Sequence, residues 1–295
     1  MKQVYKYLII CILVVCIVLA MFSHSSYTLP KIVWSYWDTE ERPELIQQIH
    51  TYNLNQLHGW TVKFLNKKDL AQYIHPSSYP IGYDKLKPAH QADWIRLYLL
   101  SKYGGVWMDA SIILNDGHAL NQLHQESIQK QSQFTGFSFK NDEAKCISAR
   151  GVSLYVENWF IMAPKGSSVV YAWNKEYEKA IHMGFLEYRH ELERRQVDTH
   201  LIYGDKMDTY LTQHACFQAV VQKQFYWLPS MIFLQAEDSM FKLHMKCKFD
   251  STCIIRLLRD EPDQCRALPY IKLRGHDRET GLDLRNFIDS VGGMS

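Results

Sequence analysis

The sequence predicts an α/β fold with a largely parallel sheet, and three observations carry that expectation. From residue 29 onward, short apolar runs rich in β-branched and aromatic residues alternate with segments of helical period, in β-α-β-α order. A long apolar helix, Pro88 to Tyr103, runs straight into the strand-like stretch GGVWMD. A single carboxylate, Asp109, then stands at the end of that strand, the edge where open α/β sheets hold their ligands.

Composition sets the frame. The chain has 295 residues, 47% hydrophobic and 22% charged, enough to bury a sizeable core. Thirty-three basic against 31 acidic residues leave a net charge of +2, which excludes the basic footprint of a nucleic-acid binder.

Taken in order, Tyr7 to Phe22 (YLIICILVVCIVLAMF) is a 16-residue stretch without a charge, preceded by Lys2 and Lys6. It is expected to cross a membrane as a signal-anchor with a cytoplasmic N-terminus, a single-pass type II arrangement placing the remainder in a lumen, Golgi or ER in a eukaryotic or viral host. A cleaved signal peptide is the rival, but no small-x-small site precedes His24. The expected division is residues 1–28 as tail, anchor and stem, and 29–295 as one globular domain.

Leu29 to Tyr36 reads as the first strand, Pro43 to Tyr52 as a helix opened by proline, and Trp60 to Leu65 as a second strand. Asn66 is placed to cap a short helix starting KKDLAQYI. Pro88 to Tyr103 ends at Gly104-Gly105, suited to a left-handed cap. Its apolar residues cover nearly the whole circumference, so Asp93 and Arg96, three apart on one face, need partners from each other or from a ligand.

Beyond Asn115 the chain turns polar, with a helix and loops and a strand at QFTGFSF. Glu157 to Pro164 reads as a buried strand, Ser167 to Ile181 as a helix, and residues 184–200 as a solvated helical face. Thr209 to Lys223 follows as a helix containing His214, read as a core histidine, and Tyr270 to Leu273 as a late strand before the basic turn RGHDR. Of seven cysteines, five lie beyond the anchor, and Cys247, Cys253 and Cys265 are close enough in sequence for a local disulfide.

KIVWSYWD, PAHQADWIRLYLLSKYGGVWMDAS, ENWFIMAPKGS and YIKL, in that order, resemble the capsular polysaccharide synthesis family. That family is similar to the wider group of sugar-transferring proteins with a DxD motif, including initiating α-mannosyltransferases and glucosylating toxins. The resemblance implies a GT-A type, Rossmann-like fold that moves a hexose from a nucleotide-sugar to a hydroxyl of a glycan or glycoconjugate, with retention at the anomeric carbon. By position it implies that Trp34 stacks on the nucleobase and that Asp93 and Arg96 grip the donor sugar. Asp109 matches the first Asp of DxD, beside the ribose and the metal shell.

Ser111 stands where the motif has its second acid, and a neutral hydroxyl is a weaker ligand for the Mn or Mg ion that the resemblance implies. A divalent cation on Asp109 and Ser111 is the expectation, with metal dependence left open, as is a non-catalytic sugar- or nucleotide-sugar-binding protein on the same fold. A departing diphosphate calls for cations, so Lys272 and His276 of the late basic segment are expected to reach it. Glu157 and Asn158 are expected to face the acceptor or sugar.

Overall fold

The structure, a computed structural model, describes residues 27–139, 147–148, 151–152, 155–203, 209–222, 230–279 and 281–289. The expected anchor, residues 7–22, lies outside the described residues, as does Cys146. Among the described residues no helix is long and apolar enough to cross a membrane.

The first half alternates as its sequence pattern dictates. It runs β1 (Ile32–Tyr36), α1 (Glu44–Leu54), β2 (Thr61–Leu65), α2 (Pro88–Tyr103), β3 (Gly105–Met108), β4 (Ile112–Leu114), α3 (Gly117–Gln129) and β5 (Phe134–Ser138). A small hairpin, β6 (Ile147–Ser148) with β7 (Gly151–Val152), precedes β8 (Val156–Ala163). Then come α4 (Ser168–Met183), α5 (Phe185–Arg194), α6 (His200–Tyr203), α7 (Thr212–Val221) and β9 (Met231–Gln235). The chain closes with α8 (Lys242–Lys246), α9 (Ser251–Asp260), α10 (Pro262–Arg266), β10 (Tyr270–Lys272), α11 (Gly275–Arg278) and α12 (Arg285–Asp289).

The fold is a mixed α/β arrangement around a six-stranded sheet in the order β2-β1-β3-β8-β5-β9. Neighbours pair in parallel at β1–β2, β1–β3 and β5–β9, while β8 runs antiparallel to both β3 and β5. The sheet is therefore largely parallel, with β8 its reversed strand. That reversal brings the start of β8 to the edge where β1 and β3 end. A separate antiparallel pair joins β4 to β10.

One face of the large sheet packs against α2, α4 and α7 through Trp94, Leu97, Trp173, Tyr177 and Phe217. The other is covered by α3 and the β4–β10 pair through Leu120, Leu114 and Tyr270, which meet Val33, Val106 and Phe160 of the sheet. A third apolar cluster ties α1 to α9, β10 and α12. Burial of these side chains supplies the main driving force for folding.

The step from α2 into β3 needs its glycines. Both Gly104 and Gly105 adopt positive φ, 70° and 103°. A β-carbon on Gly104 would meet Lys165 N at 2.4 Å, and one on Gly105 would meet Ile32 O at 2.5 Å. The double glycine thus lets the helix end directly against two neighbouring backbones, which sets Arg96 and Asp109 on the same side of the sheet edge.

Candidate functional site

A cavity of about 570 Å³ opens at the carboxyl ends of β1 and β3. Tyr36, Trp37 and Asp38 line it from the end of β1, Asp93 and Arg96 from α2, and Asp109 and Ser111 from the turn after β3. Glu157 and Asn158 enter from the start of β8, His214 from α7, and Lys272, Arg274 and Arg278 from β10 and the turn after it.

Asp109 is pinned by its backbone before its side chain does anything. Its N–H donates to Trp159 O of β8 at 2.9 Å, and its carbonyl accepts from Ile112 N at 3.0 Å. Its carboxylate is then shared. Oδ1 accepts from Trp107 Nε1 at 2.9 Å and from an Arg96 terminal nitrogen at 3.1 Å, while Oδ2 accepts from Lys272 Nζ at 2.8 Å. Burial alone would raise the Asp109 carboxyl, but the Lys272 ammonium and the Arg96 guanidinium outweigh it and bring it down to about 2. Burial acts on Lys272 in the opposite sense and pushes its ammonium below the usual lysine value, with Asp109 pulling back upward.

Asp93 and Arg96 form a second cluster joined to the first. Arg96 pairs with Asp93 one turn earlier and reaches Gln213 Oε1 at 3.0 Å. Asn158 Nδ2 donates to Asp93 Oδ1 at 3.1 Å and to Gln213 Oε1 at 2.7 Å. Gln213 Nε2 closes the ring by donating to the Asp93 backbone carbonyl. The other oxygen of Asp93 meets His90 Nδ1 at 3.3 Å and the Tyr177 hydroxyl at 3.4 Å. The Arg96 plane lies over the Trp107 ring, 5.2 Å from its centre, and its buried Nε has no hydrogen-bond partner among the described residues.

Ser111 is 2% exposed, and its hydroxyl accepts from Lys272 Nζ at 2.7 Å. The two side chains expected to hold a divalent ion are therefore both bonded to one ammonium. Among the described residues no group of three or more His, Cys, Asp or Glu side chains is placed to hold a metal ion.

Two expected site residues lie elsewhere. Trp34 does not line the cavity: it is buried on the α2 side of β1, where its Nε1 donates to Gly104 O at 2.9 Å and its ring packs beside Tyr73 and Tyr103. Position along the strand is the cause: Trp34 stands two residues before the end of β1, on the same face as Tyr36, and the aromatics at the edge are Tyr36 and Trp37, the latter with Arg278 stacked over it at 5.4 Å. His276 points outward, 84% exposed, beside Glu279. Its neighbours Arg274 and Arg278 line the cavity instead.

Three contributors escape the sequence reading. Gln213 is one of two amides, with Gln218, in a helix whose residues are all buried, and nothing but its polarity marks it. His214, read as core, does line the cavity, with Nε2 3.5 Å from Glu157 Oε2 and a buried Nδ1 that has no hydrogen-bond partner among the described residues. Asp277 is fully buried, accepts from His244 Nε2 at 2.8 Å, Ser251 Oγ at 2.6 Å and Arg274 N at 2.7 Å, and so holds the turn bearing Arg274 and Arg278. Among the described cysteines, a disulfide joins Cys247 to Cys253, and Cys265 and Cys216 are buried thiols.

Solved structures to which the chain is similar include two glycosyltransferases. One is a glycosyltransferase involved in the glycosylation of the major capsid of PBCV-1, 9% identical over 84% of this chain and 96% of that one, with a TM-score of 0.33. The other is the PaToxG glycosyltransferase, 11% identical over 69% of this chain and 74% of that one, with a TM-score of 0.38. Both likenesses are remote, and no curated protein matches the sequence. The model of one family, the capsular polysaccharide synthesis proteins, does match, over residues 21–262, and the chain belongs to that family.

Proposed function

We propose that the protein is a glycosyltransferase of GT-A type that moves a hexose from a nucleotide-sugar to a hydroxyl of a glycan or glycoconjugate, with retention of anomeric configuration. The observation that carries this reading is the convergence of Asp93, Arg96, Asp109 and Lys272 on one cavity at the carboxyl edge of β1 and β3. Acids suit sugar hydroxyls, and cations suit a diphosphate that gains negative charge as it leaves.

In this reading Asp93 accepts from donor-sugar hydroxyls, and Arg96 donates across the sugar–phosphate junction. Asp109 holds Arg96 and Lys272 in place, and Trp37 supplies the flat aromatic wall at the cavity rim. Glu157, Asn158 and His214 form the polar wall against which an acceptor is presented. The bond from the anomeric carbon to the phosphate oxygen breaks as the acceptor oxygen bonds that carbon on the same face. The acceptor proton passes to the leaving phosphate, so no protein nucleophile is required. Residues 7–22 would hold the protein to a membrane with the transferase domain on the lumenal side.

The test is to incubate the purified full chain with a panel of UDP-, GDP- and CMP-sugars and follow release of free sugar and nucleotide. One donor class should turn over, and Asp93→Ala should abolish that turnover. Absence of hydrolysis and transfer from every donor, in EDTA and in Mn²⁺ alike, would remove the reading.

A further inference from the structure

The turn after β3 offers a divalent ion one carboxylate and one hydroxyl, and Lys272 has taken both. Its ammonium sits 2.8 Å from Asp109 Oδ2 and 2.7 Å from Ser111 Oγ. The remaining Asp109 oxygen is occupied by Trp107 and Arg96. A divalent ion seated on Asp109 and Ser111 would bring its charge against the Lys272 ammonium, and the turn itself supplies no second acid to a hard cation usually held by one or two carboxylates. The residues do not fit the metal that the DxD comparison implies.

The ammonium is not there by accident of a flexible side chain. Lys272 is 8% exposed and ends β10, in antiparallel register with Ile112. Its N–H donates to Met240 O at 3.1 Å, and the next residue's N–H, from Leu273, donates to Ser111 O at 3.0 Å. Backbone bonds thus fix strand, turn and ammonium as one unit. Two of the three ammonium donors are spent on Asp109 and Ser111, which leaves one for a ligand oxygen in the cavity that Lys272 lines.

We propose that the Lys272 ammonium stands in for the divalent cation, so that the chain binds the diphosphate of its donor through Lys272 and Arg96 without a metal ion. This rests on the reading of the donor as a nucleotide-sugar. Ser111 is then a partner that aims the ammonium rather than a weakened metal ligand. Arg274 and Arg278, on the same turn, extend the positive wall toward Trp37.

Titration calorimetry of the full chain with the nucleoside diphosphates UDP and GDP, in excess EDTA and then in Mn²⁺, tests this directly. The nucleotide that binds should do so with affinities that agree within about threefold in the two conditions. Lys272→Met should weaken that binding by roughly tenfold or more in EDTA. The double variant Ser111→Asp/Lys272→Ala restores two acids and removes the ammonium, so it should acquire Mn²⁺ dependence and bind Mn²⁺ alone by electron paramagnetic resonance. Wild-type binding that appears only with Mn²⁺ would overturn this proposal while leaving the donor reading intact. No nucleotide bound in either condition would overturn both. The wild-type comparison needs no variant, so it decides the matter even where a substitution at the buried lysine prevents folding.

Discussion

Lys272 Nζ lies 2.8 Å from Asp109 Oδ2 although 163 residues separate the two in the chain. The contact joins the end of β3 in the large sheet to the end of β10 in the small one, and it sets the charge of the cavity floor before any ligand arrives. Desolvating either group alone would be costly, and each is tolerable because the other, with Arg96, accompanies it. A ligand oxygen that approaches Lys272 therefore meets an ammonium already oriented, with no reorganisation left to perform.

Asp109→Asn tests that preorganisation. An amide cannot neutralise Arg96 and Lys272, so the two cations lose their common anchor and repel each other. Turnover should fall by about a hundredfold, the scale of losing one preorganised electrostatic contact. The split between KM and kcat identifies the cause: a group that orients cations for the departing phosphate affects kcat more than KM. Unchanged kcat in the Asp109→Asn variant would remove Asp109 from the machinery.

Acid stability should report the same cluster. The Asp109 carboxyl titrates at about 2 in the fold against 3.8 when unperturbed. A depressed folded value means that the unfolded chain binds the proton more readily, so stability falls as pH falls. The contribution is present above about pH 4 and worth about 2 kcal/mol, and it disappears as pH approaches 2. Urea unfolding of the wild type and Asp109→Asn between about pH 6 and about pH 2.5 should show the stability gap narrowing toward the acid end. A constant gap would mean that Asp109 is not the depressed group.

What can be read in the sequence, and what cannot, follows from which signals are local. Helix α2 begins and ends where Pro88 and the Gly104-Gly105 pair place it, because both act through backbone geometry alone. Asp93, Arg96 and Asp109 stand out as charges among apolar neighbours. The reversed direction of β8 is invisible, since a fully buried strand reads the same either way along the chain. Trp34 falls outside the site because it stands two residues short of the end of β1, and a run of three aromatics, Trp34, Tyr36 and Trp37, does not by itself say which of them reaches the cavity. Residues 230–269 give no periodic signal strong enough to place β9 or the short helices α8 and α10, whose contacts are mostly distant in sequence.

Gln213 carries a prediction that arises only from the packing. It is fully buried, accepts from Arg96 and Asn158, and donates to the Asp93 carbonyl. Gln213→Leu leaves the buried donors of Arg96 and Asn158 short of an acceptor, a loss of about 1–3 kcal/mol in stability. As a positioning residue it should also raise the donor KM, with Gln213→Glu recovering part of that rise because an acceptor remains. A melting point lowered with KM unchanged would reduce Gln213 to a purely structural group.

The Gly105 position separates backbone strain from steric exclusion. Gly59 and Gly105 both adopt positive φ, 78° and 103°. A β-carbon at Gly59 meets nothing within 4 Å, whereas at Gly105 it meets Ile32 O at 2.5 Å and Trp34 Nε1 at 3.3 Å. Gly59→Ala should therefore cost only the left-handed penalty, about 1–2 kcal/mol. Gly105→Ala adds a clash with the backbone of β1, which cannot rotate away, for a total of about 3 kcal/mol or more. Because β1 and β3 together carry the cavity edge, Gly105→Ala should also weaken nucleotide binding, and Gly59→Ala should leave it unchanged. Denaturant unfolding and calorimetry on the two variants give the comparison. Equal costs at the two positions would show that the double glycine serves backbone conformation alone and not the close approach of α2 and β3 to their neighbours.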